Sequence, residues 1–469
     1  MKIIQNFLLF SFFLFLTTNL YAGLGDSEMS PGGWKRNIEV NEIEDIDQED
    51  KEKKALENNN DFKTIELKEI DVNTIGTMTK DDGGLSYDMW AGSKRNIIQD
   101  YLKNIPINKQ SDLAIELFKK ILLSNADVPE SEKDNVDFLL IRINKLIELG
   151  DFDNAKSLID LISEINNEEI LIKKTEINLS LNNFDLVCLD IEKNRTKYKK
   201  NLFWRKVEIF CQILNGETNK ANLALSLLKE EKNFNDENFL KIIDSLVYKE
   251  EINNESLDDL SLLNLAMTRI ANINIKESYI LKEDPLLLSM IYRMPNAPIK
   301  LRIEAIEKSK KLLNLPTETI EEIYNSYDVK EKDKAISLDD NILLGFETQA
   351  ILFQMAIAED NKEKKAKIVK KSLELALING NYKLISKLNL NSLLEIKPSK
   401  SLSWFANHAT KSLLISNKIE EAMVWYEILE KEKDKNSELF NNFIELWTIV
   451  EFYNLKDKEK KYKNVTQNE

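Results

Sequence analysis

Leu149-Gly150-Asp151-Phe152-Asp153-Asn154-Ala155 reads as the joint between two helices. Gly150 takes the left-handed conformation that ends a helix at least cost. Phe152 follows, and Ala155, five positions after the glycine, is small enough to open a second helix lying close against the first. The same order of residue types returns at Leu181-Asn182-Asn183-Phe184-Asp185-Leu186-Val187 and at Leu214-Asn215-Gly216 followed by Ala221. It returns again at Ile378-Asn379-Gly380-Asn381-Tyr382 followed by Ile385, and at Ser416-Asn417-Lys418-Ile419-Glu420-Glu421-Ala422. The small or apolar positions 155, 187 and 221 are 32 and 34 residues apart, and 385 and 422 are 37 apart.

Two helices in about 34 residues is the period of tetratricopeptide-type repeats. Over residues 130–235 and 365–432 the chain resembles that superfamily in degenerate form. The tryptophan-leucine-glycine-tyrosine pattern is incomplete in every copy, and residues 236–362 keep helical stripes without the turn signature. The chain also resembles secreted helical-repeat proteins of Gram-negative bacteria, which implies an envelope location and no particular activity. The expected fold is all-α: a right-handed α-solenoid of helix-turn-helix repeats with a short irregular N-terminal cap. One helical pair cannot bury its own apolar face, so pairs stack into an extended curved surface suited to holding peptides or proteins.

Composition points the same way. Only four of the 12 glycines (Gly150, Gly216, Gly345, Gly380) serve the 377 residues after Gly92, too few for the tight turns of a sheet-rich fold. From Lys94 onward the pattern is helical; Leu113, Leu117, Ile121 and Leu122 are expected on one stripe of a helix over 112–123. Prolines 106, 129, 285, 295, 298, 316 and 398 fall between such stripes. The net charge of −15, without a basic stripe, argues against nucleic acid as a partner.

The N-terminus carries Lys2, then the almost continuously apolar run Phe7 to Leu16, then Ala22-Gly23. This reads as a secretory signal over 1–22. The alternative is an uncleaved anchor, because Leu20 at −3 matches the small-x-small cleavage preference poorly; the run itself is short for a membrane span. After cleavage no stable membrane insertion is expected. Residues 23–60 read as a disordered acidic leader in which Trp34 is the one large aromatic. Residues 61–110 read as a capping segment: a short strand over 64–72, then the Gly- and aromatic-rich stretch from Gly76 to Gly92. Residues 111–455 form the expected solenoid, and 456–469 a charged tail.

Cys188 and Cys211, the only cysteines, lie on helices consecutive in the expected stack. An exported compartment permits a disulfide between them; two buried free thiols are the other reading. His408 is the only histidine, so a His-pair zinc site is excluded and no metal cluster is expected. No nucleophile elbow and no phosphate loop is present, so neither a catalytic residue nor a cofactor-binding residue is assigned. Some peptidoglycan-cleaving enzymes carry helical superhelices and a Glu-Ser followed by a Gly-Leu-Met-Gln motif; Glu255-Ser256 is the nearest fragment, and nothing like the rest follows it. The expected function is a periplasmic, non-catalytic scaffold for an envelope protein or peptide. A cell-wall-associated factor that binds peptidoglycan or assists its processing is the alternative.

Overall fold

The computed structural model describes residues 72–105, 112–128, 138–162, 165–197, 200–250, 252, 257–309, 315–338 and 345–455. The expected signal, leader, strand residues 64–71, Pro106, Pro129, Glu255-Ser256 and charged tail lie outside them. Among the described residues the chain is all-helical, with 21 α-helices and no strand; Met78 and Ser124 form an isolated bridge.

α1 (Arg95–Asn104) and α2 (Asp112–Leu123) come first. They are followed by α3 (Phe138–Glu148), α4 (Phe152–Asp160), α5 (Glu168–Ser180), α6 (Phe184–Asn194), α7 (Leu202–Leu214) and α8 (Thr218–Lys229). The middle of the chain holds α9 (Glu237–Tyr248), α10 (Leu262–Ile270), α11 (Pro285–Arg293), α12 (Ile299–Ser309), α13 (Thr317–Asn325) and α14 (Glu331–Leu338). The rest comprises α15 (Thr348–Ala358), α16 (Lys362–Asn379), α17 (Tyr382–Leu388), α18 (Leu390–Glu395), α19 (Ala406–Ile415), α20 (Ile419–Glu432) and α21 (Ser437–Phe452). Seven helix starts follow the capping rule: the side chains of Asn167, Asn201, Asp236, Ser261, Asp284, Asn361 and Asn436 accept from first-turn amides. Pro285 occupies the first turn of α11, where its missing N–H costs nothing.

All five expected joints turn through a left-handed residue: Gly150 (φ 75°), Asn182 (62°), Gly216 (74°), Gly380 (71°) and Asn417 (58°). Each closes with the same two backbone bonds. At the first joint Gly150 N–H donates to Ile147 and Asp151 N–H to Leu146; at the second Asn182 donates to Leu179 and Asn183 to Asn178. This Schellman geometry satisfies carbonyls that the helix end leaves without partners. The joined helices pack on each other, α3 on α4, α5 on α6, α7 on α8, α16 on α17 and α19 on α20. Ala155, Val187, Ala221, Ile385 and Ala422 are all buried there. Asn272 (φ 52°) closes α10 in the same way, with Ile273 N–H donating to Thr268. No second helix follows it at once, which is why the sequence pattern does not register it.

In the part of the expected cap that is described, residues 72–94 form turns and lead into α1. Val72, at the end of the expected strand, opens the 3-10 turn Val72–Thr74. Met78 donates to Leu123 and accepts from Asn125, so the segment runs alongside the end of α2. Gly76 is there because nothing larger fits: a Cβ would lie 2.2 Å from the Asn125 nitrogen. Trp90 meets Phe138 edge-on at 5.9 Å. Arg142, buried on α3, holds the assembly together by donating to the carbonyls of Leu122 (2.7 Å), Ile75 (2.7 Å), Ser124 (3.1 Å) and Asn73 (3.3 Å).

Two features depart from the sequence reading. In α2 the buried residues are Ile115, Phe118, Leu122 and Leu123, whereas Leu113 and Leu117 are exposed. The helix carries two overlapping apolar registers, and packing against α3 chooses one. Contacts also run beyond chain neighbours: α10 and α11 return to α5, and α11 reaches α3. Leu286 of α11 is accordingly part of the cluster formed mainly by residues 102–177.

Candidate interaction surface

The region around the cysteines begins with α6. Phe184 opens the helix after the Asn182 turn, and Val187, Asp190 and Ile191 form its buried face. Cys188 flanks that face and points to α7, whose buried side carries Trp204, Val207, Phe210 and Cys211. The Cys188 and Cys211 sulfurs are 2.06 Å apart and their Cα atoms 5.4 Å apart, a disulfide pairing across consecutive helix pairs. Further ties cross the same boundary. Glu168 at the start of α5 accepts from Asn201 Nδ2 (2.8 Å) and Trp204 Nε1 (3.0 Å). Within the first pair, Lys174 of α5 joins Asp190 of α6 at 3.1 Å.

On the outward side of this unit, apolar side chains face solvent. α6 exposes Leu186 and Leu189, three residues apart and therefore neighbours on one face. α8 buries Ala221, Leu225 and Leu228, leaving Leu223 (65% exposed) and Leu227 (52%) four residues apart on its other side. Leu161, just after α4, is exposed as well. Both α6 and α8 pack on α7, so the helix holding Cys211 sets their relative placement. Scattered surface leucines are ordinary, but paired leucines at helical spacing give α6 and α8 each an apolar face. The sequence gives this face away only once the buried register of each helix is known.

A polar recess of about 450 Å³ opens where α9 and α10 begin, lined by Asp236, Asn238, Lys241, Asp258, Asp259 and Asn264 among others. Its carboxylates are engaged. Asp236 caps α9, accepts from Asn264 at 3.2 Å and pairs with Lys206 at 3.0 Å. Asp258 pairs with Lys276 at 2.6 Å, and Asp259 pairs with Lys282.

His408 lies on α19, largely buried. Burial first, then Lys411 and Lys370, push its pKa down to about 3, so the imidazole is neutral at pH 7. Glu374 approaches at 3.9 Å but is occupied by Lys370. Neither a serine nor a cysteine side chain is bonded to the ring among the described residues; Tyr382 O–H reaches only the His408 backbone carbonyl, at 3.4 Å. Among the described residues no group of three or more His, Cys, Asp or Glu is placed to hold a metal ion, and no helix is long and apolar enough to cross a membrane. Trp34 lies outside the described residues.

Comparison with protein-family models, curated proteins and solved structures gave no match. The exposed leucine face and the cross-linked unit beneath it are therefore read on their own chemistry.

Proposed function

We propose that this chain is a non-catalytic protein-interaction scaffold of the periplasm, built as a tetratricopeptide-like solenoid and holding an envelope protein or peptide. The observation that carries the reading is the pair of outward leucine couples, Leu186 with Leu189 and Leu223 with Leu227, on helices that share α7 as their support. An amphipathic helix or extended apolar segment gains most from such a face. These leucines are 40–65% exposed, so each one covered contributes about half of the roughly 1.5–3 kcal/mol of a full burial. The cross-link between α6 and α7 keeps the face preformed, which lowers the ordering cost of binding. Export is supported by the apolar N-terminal run and by a cysteine pairing of the kind oxidising compartments sustain.

The test is crosslinking in intact cells followed by capture, comparing the wild-type chain with Leu223→Glu/Leu227→Glu. Both sites are exposed, so folding should be retained while one or more specific partners are lost. Identical capture by the two proteins removes the leucine face from consideration. Binding to purified cell-wall sacculi, unaffected by the substitutions, would favour the cell-wall reading instead. The protein's recovery from the cytosol with Met1 intact would overturn the location.

A further inference from the structure

Three of the chain's eight arginines sit where α10, α11 and α12 pack, on helices that carry none of the leucine couples. Arg269 lies in the last turn of α10, Arg293 closes α11, and Arg302 follows on α12. Asn296 ties the turn between α11 and α12 to the end of α10, its Nδ2 donating to the carbonyls of Ile273 (2.5 Å) and Thr268 (3.3 Å). Arg302 Nε donates to the Tyr292 carbonyl at 3.0 Å. The Arg293 guanidinium lies over the Tyr292 ring, 4.9 Å from its centroid, and donates to Ser289 Oγ at 2.6 Å. Arg269 is near enough to feel that charge: burial first, then Arg293, lower its pKa.

Among the described residues none of the three forms an ion pair, and Arg269 Nη1 is buried without a hydrogen-bond partner. Glu304 is taken by Lys308, and Glu322 acts on Arg302 from beyond ion-pair distance. A cation in a last helical turn answers the helix dipole. That accounts for Arg269 or Arg293 singly, but not for two like charges held close and partly stripped of water, which is unfavourable unless an anion joins them. We propose that Arg269 and Arg293, with Arg302 beside them, bind an oxyanion, the phosphate or carboxylate group of a ligand whose charge the fold does not itself supply. Guanidinium forks suit such groups, because parallel N–H donors match paired oxygens. All three side chains remain partly exposed, so a ligand can reach them from solvent.

Isothermal titration of the full chain at matched ionic strength in chloride tests this, with inorganic phosphate and malonate as separate probes. At least one should bind with a dissociation constant in roughly the millimolar range or tighter. Phosphate alone assigns the site to phosphate groups, malonate alone to carboxylates, and binding of both to either oxyanion. Arg269→Met, which keeps the apolar stem, and Arg293→Met should each weaken binding by a factor on the order of ten or more. Lys229→Gln, at an exposed lysine of α8, should leave it unchanged. Urea unfolding in chloride alone separates ligand binding from a structural role. There Arg269→Met should be no less stable than the wild type, because the substitution removes a desolvated charge that has no partner. A wild type that binds neither probe overturns the proposal. So does binding that survives both arginine substitutions or falls equally in Lys229→Gln, and so does an Arg269→Met chain less stable than the wild type in chloride.

Discussion

Arg142 is a cation buried without a carboxylate among its hydrogen-bond partners. Four carbonyls from the cap and the end of α2 receive its protons instead, and burial brings its pKa down to about 10. Charge-assisted bonds of this kind are each worth roughly 1.5–3 kcal/mol, and orphaning buried carbonyls adds to the loss. Arg142→Ala should therefore destabilise the protein by about 3 kcal/mol or more in urea unfolding. Arg142→Lys should recover little, because a point charge cannot span the fork. His408 makes a prediction in pH. Its folded pKa of about 3 lies below the ordinary 6.5, so the unfolded chain takes up a proton first. The stability it contributes is whole above pH 6.5 and is lost as pH falls toward 3, with about 2 kcal/mol gone between pH 7 and pH 5. Near the ring Lys370 pairs with Glu374, whose carboxylate lies 3.9 Å from the imidazole, and Lys411 pairs with Glu445. Unfolding free energies of His408→Gln should be flatter between pH 7 and 5 than those of the wild type; an unchanged slope would assign the dependence elsewhere.

At the scale of elements, the helix joints were legible because they are local. A left-handed residue, two backbone bonds and a small residue five positions on all lie within one short stretch, and Gly or Asn marks each. The Asn272 joint escaped because its helix is followed by an irregular segment before Pro285. The link between Cys188 and Cys211 belongs to this scale too, since it ties α6 to α7. By chain entropy, closing a loop of 23 residues stabilises the fold by about 3 kcal/mol. Cys188→Ser/Cys211→Ser should lower the unfolding free energy by that order, with the greatest rise in hydrogen exchange in α5 to α8. Loss spread evenly over the chain would mean that the cross-link acts on the whole and not on its neighbourhood.

For the whole molecule, the return of α10 and α11 to α5 and α3 changes how stability is shared. A chain of repeats that touch only neighbours loses protection near a lesion and keeps it elsewhere. Leu286 is 2% exposed and packs in the cluster that contains Leu139, Leu146 and Ile170. Leu286→Ala should cost roughly 2–5 kcal/mol. Hydrogen exchange should then quicken in α3 and α5, more than a hundred residues earlier in the chain, as well as in α11. Confinement of the effect to residues 262–309 would show that the long-range contact carries little energy.

Helical class, the positions of the five joints and the burial of their small residues were determined by the sequence alone. Backbone preference at Gly and Asn and a period of 3.6 residues act over a few positions and need no distant partner. Which face each helix buries is a different matter. In α2 the rows through Leu113 and through Ile115 are both apolar, and only contact with α3 and the cap decided that Leu113 and Leu117 face outward. The outward leucines of α6 and α8 and the fold-back onto α3 and α5 follow from the same kind of choice. Tertiary packing buries one of several apolar surfaces that the sequence offers, because neighbours separated by tens of residues supply the partner atoms.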